Sequence, residues 1–167
     1  YDGVTLGNVL SSQQNPPFRW VHQILIDNDY LYLATPNSGI WRFHITTSEL
    51  KRILSVEQVG THVRAMEMVG GRLYVLAKQR LTEFDLVANT LRVSDIAPGL
   101  SRLVVSSETV LITSHSQILL LDQKNLSQTP VWRQPFLSAA LIGERILITT
   151  QQQVCLLDGD GQECIDV

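Results

Sequence analysis

Three columns of residues keep step through four consecutive units of this chain, and that repeat constrains its fold more than any other feature. Leu31, Leu73, Val110 and Ile146 are separated by 42, 37 and 36 residues. Phe43, Phe84, Leu121 and Leu157 follow at separations of 41, 37 and 36. A column of small residues, Thr35, Ala77, Ser114 and Thr150, repeats the spacing of the first. Self-similarity with a period in this range marks architectures that stack one supersecondary unit many times. Each unit reads as four short apolar runs with hairpin-length links; the second runs VRAMEMV, Gly70-Gly71, RLYVLA, RLTEFD, LRVSD.

The inner runs, such as LYL, LYV, VLI and ILI, are continuously apolar and not alternating, so both faces of each sheet must be covered. The links are too short for crossover helices, which makes the strands antiparallel and the covering layers other sheets. Four-stranded sheets stacked face to face about an axis meet both demands. A two-sheet sandwich would leave one face of each sheet open and has no need of a period near about 40 residues. The expected fold is therefore an all-β β-propeller with about four four-stranded antiparallel blades, at about 21–55, 63–95, 100–134 and 137–167. Residues 1–20 read as a preamble, with a strand from Val4 to Leu10 and then a loop holding Pro16 and Pro17. The fourth unit already supplies an outer strand, Glu163 to Val167, so the preamble strand would compete with it for one edge. The chain is accordingly expected to be part of a larger propeller, completed by more of the same polypeptide or by another chain.

Composition narrows the function classes. A 44% hydrophobic and 17% charged content belongs to a packed protein with a sizeable core. The formal charge is −3, and the arginines are spread along the chain, so the sequence argues against a nucleic-acid partner. No apolar run is long enough for a membrane-spanning helix, and the chain opens on Tyr1-Asp2-Gly3 without a basic and apolar leader. No HExxH or Cys-His cluster supports a metal site, and no Gly-x-Ser-x-Gly elbow supports a nucleophile. The expectation is a protein without catalytic residues, metal or cofactor.

The first unit, DNDYLYLATPNSGIWRFHITTSELKRI, resembles the repeat of the two-component regulator propellers. Asp27 or Asp29, Leu31, Leu33, Thr35, Gly39, Ile40 and Phe43 fit that repeat. Tyr32 stands where the family usually has Trp, and Ala34 where it usually has Gly; Tyr74, Leu111 and Leu147 fill the Trp column of the later units. Quinoprotein-like and Kelch repeats are similar at a lower specificity. The resemblance implies an extracytoplasmic (periplasmic or secreted) sensory or ligand-binding propeller attached to a signalling protein, with its output domain elsewhere. The alternative is an intracellular protein–protein scaffold of the WD40 or Kelch type, although Trp-Asp dipeptides are absent.

If a ligand binds, it belongs on the loops at one end of the axis, because loops vary while the sheets are fixed. With the usual strand order, the turns between second and third strands share an end with the links entering each first strand. That nominates Asn37, Ser38, Lys78, Gln79, His115, Gln151 and Gln152, with His22, His62 and Arg102 nearer the channel. Trp41 fits either a sugar-stacking platform or a filler of the gap between blades. The acids after the third strands, Asp85, Asp122 and Asp158, with His44 in the first unit, fit turn stabilisation. The run Asp158-Gly159-Asp160-Gly161 is too short for an EF-hand loop and fits a hairpin turn.

Cys155 and Cys164 are the chain's two cysteines and stand symmetrically about Gly159-Asp160. A two-residue loop there makes them a non-hydrogen-bonded cross-strand pair, close enough for a disulfide. A pair of buried thiols in adjacent strands is the alternative.

Overall fold

The structure, a computed structural model, describes residues 20–107, 109–158 and 161–167. The expected strand from Val4 to Leu10 and the Gly159-Asp160 turn lie outside the described residues.

Each repeat folds into one antiparallel sheet whose strands lie side by side in chain order. The first comprises β1 (Gln23–Asp27), β2 (Tyr30–Thr35), β3 (Gly39–His44) and β4 (Leu50–Leu54). A single helical turn, α1 (Val56–Val59), leads to β5 (Ala65–Val69), β6 (Arg72–Leu76), β7 (Arg80–Asp85) and β8 (Thr90–Asp95). The third sheet holds β9 (Arg102–Val105), β10 (Val110–Thr113), β11 (Ile118–Leu121) and β12 (Gln128–Trp132). The fourth holds β13 (Ser138–Ile142), β14 (Arg145–Thr149), β15 (Gln153–Asp158) and β16 (Gly161–Asp166). The first strands pack against one another in the order β1, β5, β9, β13, so the four sheets stand as successive blades.

Strand alternation assigns each column to one face. Tyr32 and Ala34 join Leu73, Val75 and Phe84 in the core between the first and second blades. Tyr74, Leu76 and Leu81 meet Leu103, Val110, Ile112 and Leu121 between the second and third. Leu111, Ile118 and Trp132 meet Ile146, Ile148, Cys155 and Leu157 between the third and fourth. The columns seen in the sequence are thus the backward-facing layer of each blade (Leu73, Val110, Ile146; Phe84, Leu121, Leu157), and the Trp column (Tyr32, Tyr74, Leu111) is the forward-facing layer. Continuous apolar runs arise because both layers are buried.

The small column closes the turns between second and third strands. Thr35 Oγ1 donates to Gly39 O at 2.8 Å. The N–H groups of Ala77, Ser114 and Thr150 donate to Arg80, Gln117 and Gln153 carbonyls at 2.8, 2.9 and 2.9 Å.

In the last hairpin the register is Asp158 with Gly161, Leu157 with Gln162, Leu156 with Glu163, and Cys155 with Cys164. The two cysteines form a disulfide, with Cα atoms 4.1 Å apart, as the narrow non-hydrogen-bonded spacing allows.

Candidate functional site

The meander order fixes which loops share an end. Turns after β2, β6, β10 and β14 lie at the same end as the links that enter β1, β5, β9 and β13, because every strand reverses the last. The bonds that seal this end run from link to sheet: His22 N to Ala34 O, Arg64 N to Leu76 O, Ser101 N to Thr113 O and Leu137 N to Thr149 O, at 2.7–2.9 Å.

Asn37 and Ser38 lie in the β2–β3 turn, Lys78 and Gln79 in β6–β7, His115 in β10–β11, and Gln151 and Gln152 in β14–β15. His22 and His62 lie on the approaches to β1 and β5, and Arg102 opens β9. All of these belong to one end of the propeller. Of them, all but Ser38 are exposed. Trp41 does not join them. It sits in the middle of β3, opposite Leu33 and Arg52, and packs with Leu31, Leu33 and Phe43 on the face turned away from the second blade. The Arg52 guanidinium lies 6.0 Å from its ring centre.

Among the described residues, clefts open at two places at this end. One, of about 420 Å³, runs between α1 and the β6–β7 turn and is lined by Glu57, Thr61, Lys78, Gln79, Arg80 and Asp95. The other, of about 380 Å³, lies between the link into β13 and the β14–β15 turn, with Trp132, Phe136, Gln151 and Gln152 in its wall. Glu57, Thr61, Arg80, Trp132 and Phe136 were not among the residues that sequence nominated. They come from links and strand ends, which the repeat columns do not mark. A signal was present for part of this wall: Ser55-Val56-Glu57-Gln58 reads as a capping box, and Gln58 Oε1 accepts the Ser55 N–H at 2.8 Å. Arg80 Nη1 in turn donates to the Glu57 carbonyl at 2.6 Å, holding α1 against the second blade.

A larger cleft, about 850 Å³, lies between the second and third blades toward the opposite end. Its arginines are already engaged. Arg92 Nε donates to Glu83 Oε1 at 3.1 Å and Arg92 Nη1 to the Lys124 carbonyl at 2.6 Å, while Arg72 pairs with Asp85 at 3.7 Å. Glu83 is buried, and Tyr74 and Arg92 are its neighbours in register. Burial, with the Glu83 carboxylate beside it, pushes the Tyr74 phenol up. Arg92 thus spends its donors fastening the β11–β12 turn of the third blade to the second, and the cleft is a polar seam between blades.

Charge divides between the two ends. Arg64, Lys78, Arg80, Arg102 and Arg133 lie at the end of the nominated residues, against Glu57, Asp95 and Asp166. At the other end Asp27, Asp29, Glu49, Asp85, Asp122, Glu144 and Asp158 outnumber Arg72, Lys124 and Arg145. Among the described residues no group of three or more His, Cys, Asp or Glu side chains could hold a metal ion. Among the described residues no helix is long and apolar enough to cross a membrane.

No family model matches the chain, and no curated protein does. Solved structures do. The extracellular domain assigned to the hybrid two-component system BT4673 of B. thetaiotaomicron superimposes with a TM-score of 0.64 at 14% identity, over 89% of this chain and 23% of that one. The corresponding domain of BT3049 from the same organism gives a TM-score of 0.58 at 15% identity, over 88% of this chain and 22% of that one. The N-terminal domain of Nup159 gives 0.56 at 14%, over 96% of this chain and 53% of that one. The chain therefore spans less than a quarter of the two bacterial domains. Four four-stranded antiparallel sheets, stacked in order and shared with these domains, make the chain an all-β propeller.

Proposed function

We propose that this chain is a run of blades from a non-enzymatic recognition propeller, and that it binds its ligand or protein partner at the end where the β2–β3, β6–β7, β10–β11 and β14–β15 turns meet the interblade links. One observation carries this reading. Across the four blades the sheet columns repeat, whereas these turns differ in residue type from blade to blade, as Asn37-Ser38, Lys78-Gln79, His115-Ser116 and Gln151-Gln152. Packing demands account for the columns; they place none on the exposed members of these turns, Asn37, Lys78, Gln79, His115, Gln151 and Gln152, which suits them to recognition.

The likeness to extracellular domains of two-component systems supports an extracytoplasmic, sensory setting in a signalling protein, and the Cys155–Cys164 disulfide fits an oxidising compartment. The shape shared with Nup159 supports the second reading, an intracellular interaction scaffold. Alkaline phosphatase fused after this segment in the intact protein separates the two, since the enzyme is active only when exported; an inactive fusion at normal expression removes the sensory reading. The binding end is tested by replacing each of the four turns with Gly-Ser. Loss of stimulus-dependent output is expected for these turns and not for equal replacement of the Asp27–Asp29 or Leu86–Asn89 turns. The reverse pattern would place recognition at the opposite end.

A further inference from the structure

Within the nominated end, the fold also sorts charge by distance from the axis. His22 precedes β1, His62 and Arg64 precede β5, and Arg102 opens β9, so these side chains stand at the mouths of three first strands that lie against one another. All four are exposed. The carboxylates of the same end stand farther out: Glu57 on α1, Asp95 at the close of outer strand β8, and Asp166 at the close of outer strand β16. Among the described residues the mouth of this end thus carries the charges of Arg64 and Arg102 without a carboxylate beside them; on the first strands Glu67 lies midway along β5 and Asp27 closes β1 at the opposite end. Arg64 Nη1 donates to the Leu100 carbonyl at 3.0 Å, which ties that guanidinium to the link between the second and third blades. The ion pairs of the described residues, Arg72–Asp85 and Arg92–Glu83, involve neither Arg64 nor Arg102. Lys78 and Arg133 carry the positive field outward on a turn and a link.

We infer that this end takes an acidic ligand, one presenting two or more carboxylate or sulfate groups that Arg64 and Arg102 share across adjacent blades. The inference rests on the reading of this end as the recognition end and adds the chemistry of what it recognises. Guanidinium groups bind such oxyanions through paired N–H donors, and Arg64 and Arg102 stand at the starts of first strands β5 and β9, which pack together, so that a multivalent anion gains from each. The opposite end is acidic and the chain as a whole carries a net charge of −3. An anion is thus repelled elsewhere and steered to this end.

The test titrates the protein at low ionic strength with citrate, with dextran sulfate and with uncharged dextran of the same length. Binding of either anion and none of the neutral polymer is expected, weakening as salt screens the charges. Citrate alone would identify a small polyacid, and dextran sulfate alone an extended chain; both uphold the inference. Arg102→Glu and Lys78→Glu should each weaken binding about tenfold, while Lys124→Glu at the acidic end leaves it unchanged, with circular dichroism confirming that all three variants fold. Equal loss in Lys124→Glu, or no binding of either anion, overturns the inference. So does tighter binding of a single-stranded oligonucleotide than of dextran sulfate, which would point to a nucleic-acid partner. Uncharged dextran that binds, and is lost when the turns are replaced, overturns the acidic ligand but keeps this end as the recognition site.

Discussion

Asp85, Asp122, Asp158 and His44 occupy one position in four blades and do one job. Asp85 Oδ1 accepts the N–H groups of Val87 and Ala88 at 3.0 and 2.8 Å. Asp122 Oδ1 accepts from Lys124 at 2.7 Å and Asp158 Oδ1 from Gly161 at 2.9 Å. In the first blade His44 Nδ1 accepts from Thr46 and Thr47 at 3.2 and 3.3 Å. The position requires a short side chain with an acceptor aimed at the following turn, and charge is secondary, which is why histidine replaces aspartate without disturbing the sheet. The backbone N–H of Ala88, followed by that of Val87 and the Arg72 charge, holds the Asp85 carboxyl below the usual carboxylate range. Its folded value is depressed, so its stabilisation is present above the unfolded value of about 3.9 and is lost as pH falls through the lower folded value. The urea midpoint of the native sequence should therefore drop more between about pH 6 and about pH 2 than that of Asp85→Ala, and Asp85→Asn should keep most of the stability at neutral pH. Identical acid losses in the native protein and Asp85→Ala would show that Asp85 is not linked to folding.

At the scale of single elements, two places carry unusual constraint. Gly39 has φ +85°, and a Cβ placed there would come within 2.1 Å of the Leu54 carbonyl oxygen. The cause is a register shift at Ile40/Trp41, after which β4 runs close beneath the β2–β3 turn on its way to α1. Gly39→Ala should cost about 2–4 kcal/mol in chemical denaturation; a loss within about 0.5 kcal/mol would mean that the backbone yields there. The second place is β16, in which every residue is exposed, whereas outer strands β4 and β12 bury Leu54 and Trp132. Lacking an apolar anchor, β16 is held by its ladder and by the Cys155–Cys164 bond, which closes a short loop with a sequence separation of 9. Loop-closure entropy puts that bond at about 2.5 kcal/mol. Cys155→Ala/Cys164→Ala should accelerate amide exchange in β16 and leave β5–β8 unchanged; unchanged exchange in β16 would show that its ladder suffices. The hairpin register was legible in the sequence because two cysteines and a Gly-Asp centre admit one symmetric pairing. Helix α1 has only its capping box to mark it in the sequence, since one turn has no periodicity to detect. The two register shifts, at Ile40/Trp41 and Ile118/Leu119, depend on how outer strands bend, and the residues beside them, Gly39 and Pro130, fit an ordinary turn and edge strand equally well.

For the whole molecule, the strand columns announced the blades, but the grouping of charge did not show in the sequence. Arg64 and Arg102 are far apart along the chain and reach the same end because each stands at the start of a blade's first strand, so a basic surface assembled from single residues per repeat has no linear motif. The same columns expose an imbalance at the fourth blade. Its backward layer is covered by the third blade, with Ile148 and Cys155 fully buried. On its forward layer Leu147 occupies the position where Tyr32, Tyr74 and Leu111 are 2%, 0% and 0% exposed, yet Leu147 is only half-buried. Ile142 and Ile165 on that layer are 56% and 69% exposed. In each earlier blade the equivalent layer meets the backward layer of the next. The forward face of the fourth blade thus leaves an apolar layer uncovered among the described residues, a potential seat consistent with further blades, as is the small fraction of the bacterial domains that this chain spans. Left uncovered, an apolar layer of this kind should bind hydrophobic dye and promote self-association. Ile142→Lys/Ile165→Lys should abolish both while shifting the unfolding midpoint little, because these side chains have no partner to lose. A dye-silent, monodisperse monomer of the native sequence would remove the seat. A discrete dimer that the double variant dissociates would instead assign it to a second copy of the chain.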